Sequence, residues 1–186
     1  FPAWDTVPYD RVSPNPSIVA TRIECLSELA LNPNSKTSRV IVTSVGAVLQ
    51  KLPPAKIFCN SFKEISIGKK LDFNDFLHYA TINGYNRVAQ VMEPGEYAVR
   101  GDIIDIFPVG TNEPLRIDLF DDEVERIRTF DVMSQRTSGD IKSYCFKVMS
   151  EAILDANTIK TFRGKYREAF GASFKDDEIY EAVSAG

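Results

Sequence analysis

Apolar and polar positions alternate with different periods along the chain and divide it into three stretches. In residues 1–54, Asn15-Pro16 reads as a helix N-cap followed by proline at the first helical position. Ile18, Val19, Ile23, Leu26 and Leu29/Ala30 then recur at helical spacing until Asn32-Pro33-Asn34 ends the run. Residues 39–42 are a short β-branched run and read as a strand. Residues 44–50 read as a short helix stopped by Pro53-Pro54. Helix, apolar strand and helix predict a partial α/β domain whose partner strands come from outside this sequence.

Residues 55–147 have a shorter period. A strand is expected over 61–67, then a helix over 73–82 capped by Asp72, with Gly84 as its left-handed stop. Strand-like runs follow at 87–92, 97–100, 102–107, 115–120 and 124–130, separated by turns rich in Gly, Pro, Asn and Asp. Such spacing predicts an antiparallel meander with one packed helix, an α+β module inserted into the partial α/β domain. Residues 148–186 read as helical. Phe162, Tyr166, Ala169 and Phe170 share one face between Thr158 and Gly171, and 176–183 form a second helical segment. These helices are expected to pack back on the first stretch.

Composition narrows the function classes. Of 186 residues, 44% are hydrophobic and 26% charged, the balance of a soluble chain with a real core. The net charge of -4 lacks the basic excess that phosphate binding normally needs. Cys25, Cys59 and Cys145 are odd in number and far apart, which suits reduced thiols in the cytoplasm better than disulfides or zinc. No run approaches the roughly 20 apolar residues of a membrane helix. The chain opens on Phe1 without a signal sequence, and Phe1-Pro2-Ala3-Trp4 reads as structured, as in a piece of a longer protein.

Catalytic constellations are hard to assemble. Ile67-Gly68-Lys69-Lys70 lacks the upstream glycine and the following hydroxyl of a phosphate loop, and reads as a strand-end turn. His78, the single histidine, supplies neither a triad nor a multi-histidine metal site, and is expected at a surface or boundary. Asp121-Asp122-Glu123 reads as a hairpin turn rather than a cation site. Asp102 and Asp105 stand in opposite strand phases and so do not form a catalytic pair. No cofactor, metal or enzymatic activity is expected.

One strand carries more information. Alternation puts Leu115, Ile117 and Leu119 on a core face, and Arg116, Asp118 and Phe120 on the other. Leaving a large aromatic side chain exposed forfeits roughly 1.5–3 kcal/mol of burial. Two explanations stand at this point: Phe120 covers the helix or a hairpin end, or it anchors a partner, since Arg with an aromatic is common hot-spot chemistry. Arg100, just before the strand expected to pair with 115–120, comes onto the same sheet. Two guanidinium groups suit an acidic protein surface, where they bind carboxylates bidentately. The alternative, a phosphate-binding patch of a nucleic-acid-binding module, calls for more surrounding Lys and Arg; Asp118, Glu123 and Glu125 oppose it.

The run Glu93-Pro94-Gly95-Glu96-Tyr97-Ala98-Val99-Arg100-Gly101-Asp102-Ile103-Ile104-Asp105-Ile106-Phe107-Pro108 resembles a block shared by the bacterial transcription-repair coupling factors (the Mfd family) and the repair helicase subunit UvrB. Arg116-Ile117-Asp118-Leu119-Phe120-Asp121-Asp122-Glu123-Val124-Glu125 continues it. Trp4-Asp5-Thr6-Val7-Pro8-Tyr9-Asp10-Arg11-Val12-Ser13-Pro14, Gly84-Tyr85 and Phe130-Asp131 with Ser134-Gln135-Arg136-Thr137 resemble the coupling factors rather than UvrB. The resemblance implies the end of a domain 1a (1–54), an inserted UvrA-binding domain 2 (55–147) and the helical start of a domain 1b (148–186). It implies recruitment of UvrA in transcription-coupled nucleotide excision repair. The family's UvrA contacts fall on Arg100, Arg116 and Phe120, with Asp118 a candidate for the rim. No G-x-x-x-x-G-K-[ST] motif is present, so the family's ATP-driven translocation on DNA and its RNA polymerase contacts are expected of other parts of the longer protein.

Overall fold

The computed structural model describes residues 1–7, 12–32, 34–60, 62–171 and 177–185. Of the sequence readings, the Pro8–Arg11 part of the opening motif, Pro33, Ser61, Asp176 and the start of the last helical segment lie outside these residues. The fold is α+β, and the chain forms two compact units, Phe1–Glu151 and Ala152–Gly186.

Helix α1 (Pro16–Leu31) starts as its sequence requires. The Asn15 side chain accepts from the Ser17 N–H, and Pro16 occupies a position whose N–H would have no helical partner. Helices α2 (Val45–Leu49) and α3 (Ala55–Asn60) follow, and α3 packs on α1. Residues 39–42 do not form the expected strand: they are irregular, with Val40 89% exposed. No strand among the described residues lies alongside, so their backbone has no ladder to join.

Strand β1 (Lys63–Ser66) leads through the turn at Gly68 (φ 75°) to helix α4 (Phe73–Ile82). The Asp72 side chain caps the first turn by accepting from the Asp75 N–H, and Gly84 (φ 87°) follows the last. Strands β2 (Asn86–Arg87), β3 (Glu96–Arg100), β4 (Ile103–Ile106), β5 (Leu115–Phe120), β6 (Glu123–Phe130) and β7 (Thr137–Ile141) form one sheet in chain order. β3 to β7 are antiparallel neighbours, as the short turns require, but the brief β2 pairs parallel to β3. The strand expected over 87–92 stops at Arg87. The chain then bends and buries Val91 beneath the sheet rather than extending its ladder. β8 (Ser143–Phe146) returns to pair with β1.

Cross-strand partners share a face. Tyr97, Ile104, Ile106, Leu115, Ile117 and Ile127 therefore line one side, all nearly fully buried, and Thr81 of α4 meets the Tyr97 hydroxyl there at 3.1 Å. The opposite side is closed at one end only. There Val91, Ala98, Phe107 and Phe130 form a second small core, with Val88 and Val132 packed against it.

A buried arginine ties distant segments of the first unit. Arg22 on α1 is fully buried and binds Glu151 with two nitrogens (2.5 and 3.1 Å), the Pro2 carbonyl and the Gln50 side chain. Its guanidinium lies 4.5 Å from the Phe1 ring centre and 5.0 Å from that of Trp4. In the second unit, helices α5 (Ala156–Phe170) and α6 (Glu178–Ala185) meet where the Tyr180 ring lies against those of Phe162 and Tyr166. Asp155 and Thr158 form a reciprocal cap at the start of α5.

Candidate functional site

The outward face of β3–β6 carries the residues singled out by alternation. On β5 the burial pattern follows the two-residue period: Leu115, Ile117 and Leu119 are buried, Arg116 and Asp118 are mostly but not fully covered, and Phe120 is 76% exposed although Leu119 beside it is only 7% exposed. Phe120 thus covers neither the helix nor a hairpin end. It stands at the open end of the face, immediately before the turn Asp121-Asp122, where Asp121 takes φ 60°. Asp122 is held by Lys70 at 2.5 Å, and that hydrogen bond keeps its carboxyl below the usual carboxylate range.

The two arginines differ. Arg100 lies on the same face, two strands from β5 and in line with Asp118 through Ile103. Its side chain is 49% exposed, donates to the Ala89 carbonyl at 3.3 Å and comes within 3.9 Å of Asp105. Arg116 is more firmly engaged than alternation suggested. Its Nε and Nη2 donate to the two oxygens of Asp105 at 2.7 and 2.9 Å, Nη1 donates to the Gln135 carbonyl at 3.3 Å, and the Phe130 ring lies 4.6 Å away. Hydrogen bonding to Asp105 raises the Arg116 pKa further above its usual value. Asp118, the candidate rim acid, is mostly covered and accepts from Arg128 at 2.6 and 3.0 Å.

Sequence reasoning missed Asp105, which is 2% exposed, and the whole β6 contribution to this face. Register was the missing signal. Asp105 stands directly opposite Arg116, and Arg116 opposite Arg128, so an acid and two bases meet only once the strands are aligned. The excluded motifs sit as expected. Gly68 is in a turn and His78 is exposed on α4.

Along residues 64–151 the chain matches the family model described as "UvrB interaction domain". It is 38% identical over its full length to the transcription-repair-coupling factor of Haemophilus influenzae. To the proteins of the same name from Escherichia coli and Rickettsia bellii it is 34% and 33% identical, over 98% and 100% of this chain. The chain spans 16% of the length of each of these relatives.

Proposed function

We propose that this chain, which belongs with the transcription-repair coupling factors along the stretch it shares with them, is a module that recruits UvrA during excision repair. It acts by binding and not by catalysis. Residues 55–147 form its docking part. Contacts with RNA polymerase and DNA belong to the remainder of the longer proteins.

The observation that carries this reading is the phenyl ring of Phe120, exposed on a face whose neighbouring core positions are fully packed. A ring in water is an anchor without a socket, and aromatic anchors beside arginine dominate interface energetics. Arg100 supplies a partly free cation for a carboxylate on the partner. Arg116 contributes from behind. Three of its five N–H donors are engaged within the chain, which fixes the plane in which the others are offered.

Calorimetric titration of UvrA with the chain tests the reading. Phe120→Ala is expected to weaken binding about tenfold or more with an unchanged melting temperature. Equal affinity with an intact fold would remove the ring from the interface. A wild-type chain that does not bind UvrA would remove the function.

A further inference from the structure

The docking reading names residues on β3 and β5, yet the same face continues onto β6. There the register sets Arg126 opposite Asp118, in one row with Ile103 and Arg100. Opposite charges facing across two strands ordinarily pair. Here Asp118 gives its Oδ2 to Arg128 instead, at 2.6 and 3.0 Å. Arg126 is exposed and has no ion pair or hydrogen bond through its side chain among the described residues.

Its outward position depends on an irregularity. Between Asp118/Leu119 and their partners the ladder shifts by one residue, leaving Glu125 as the extra position. Val124 and Ile127 are both buried, so two successive residues, Glu125 and Arg126, face outward between them. Strict alternation from Val124 would have sent Arg126 into the core.

We infer that Arg126 is a further docking residue, and that Arg100 and Arg126 bracket Phe120 to receive a partner surface with acidic groups on both sides of an apolar socket. Three strand spacings separate β3 from β6, roughly 14 Å, and Phe120 lies about 7 Å along β5 from the row they share. The inner arginines, Arg116 and Arg128, are already neutralised by Asp105 and Asp118. The outer pair, with the exposed Glu125 beside Arg126, is therefore what this face leaves for a partner's carboxylates. This inference rests on the docking of UvrA proposed above.

The test is titration of UvrA with the 186-residue chain carrying Arg126→Glu, Arg126→Gln or Arg126→Lys, at low and moderate salt, beside Phe120→Ala. Arg126→Glu is expected to weaken binding about tenfold at low salt and to flatten its salt dependence. Arg126→Gln has a smaller effect, and Arg126→Lys restores most of the affinity. Binding that is unaltered by Arg126→Glu but weakened by Phe120→Ala would overturn the role of Arg126 alone. Indifference to both substitutions would overturn the docking reading with it. Loss of low-salt DNA binding in Arg126→Glu, at undiminished UvrA affinity, would assign the cation to phosphates and overturn the inference as well.

Discussion

Asp105 on β4 and Arg116 on β5 face each other across the outward side of the sheet, joined by two parallel hydrogen bonds of 2.7 and 2.9 Å over the Phe130 ring. The acid is almost completely buried and the base retains a 15% exposed side chain. The pair closes the small core at one end of the face and marks where the open surface begins.

Asp105→Ala is expected to destabilise the chain by about 3 kcal/mol, because it leaves a largely covered guanidinium without its counter-charge. Urea denaturation gives the value directly. A loss below about 1 kcal/mol would mean that water compensates Arg116 as well as Asp105 does.

Adjacent residues of β5 should separate stability from recognition. Leu119→Ala removes a buried side chain and is expected to cost about 2–4 kcal/mol, whereas Phe120→Ala should stay within about 0.5 kcal/mol of wild type. Thermal unfolding of the two variants side by side makes the comparison. Similar melting points would contradict the alternation on which the site is built.

The legibility of the chain follows the same division. Leu115, Ile117 and Leu119 announce their face, and Asp72 with Gly84 announces both ends of α4, because these signals lie within a few residues of one another. β7 was not anticipated: Thr137-Ser138-Gly139-Asp140-Ile141 has almost no apolar side chain and is held by the ladder of β6. α3 was hidden because Pro53-Pro54 reads as a stop, although proline also suits a helix start. Residues 39–42 have strand composition but no neighbouring strand, so propensity alone misled. At the site, alternation put Phe120 on the outward side of β5 but left open whether it covered a helix or hairpin end. The partners of Arg116 and the isolation of Arg126 depend on register between strands, which no local pattern encodes.

Arg22→Met should destabilise the first unit by about 3 kcal/mol or more, since Glu151 would be left mostly covered and unpaired. Trp4 stacks on the same guanidinium and donates its indole N–H to Glu151 at 3.1 Å. Its fluorescence in the native state is therefore expected to change with the substitution. An unchanged emission spectrum would argue that the knot holds without its arginine.

Two glycines at left-handed backbone angles should respond unequally to alanine. A Cβ on Gly84 (φ 87°) would lie 2.6 Å from Ser150 Cβ and 3.0 Å from its backbone nitrogen, whereas one on Gly95 (φ 89°) would meet the flexible Met149 side chain at 2.7 Å. Both substitutions incur roughly 1–2 kcal/mol of backbone strain, and Gly84→Ala adds a clash that a side-chain rotation cannot relieve. Denaturation midpoints in the reverse order would contradict this.

Acid should weaken the fold from a definite side. Hydrogen bonds from Lys63 to Asp75, from Lys70 to Asp122, and from the Ser134 backbone to Asp131 hold these carboxyls below their ordinary range. With folded values depressed, their contribution is present above the unfolded pKa, about 4, and is lost as pH falls through the folded values. Urea midpoints are expected to fall from pH 4 downward, and less steeply in Asp131→Asn. An identical slope in that variant would exclude Asp131 as a source.

The extra position at Glu125 lets β6 turn two neighbouring charges of opposite sign toward solvent. Without Glu125 the strand would read Val124 in, Arg126 out and Ile127 in, a plain alternation that keeps the cation and drops the acid beside it. A gap of one in this hairpin therefore alters the charge shown at the rim and leaves the packed interior as it was.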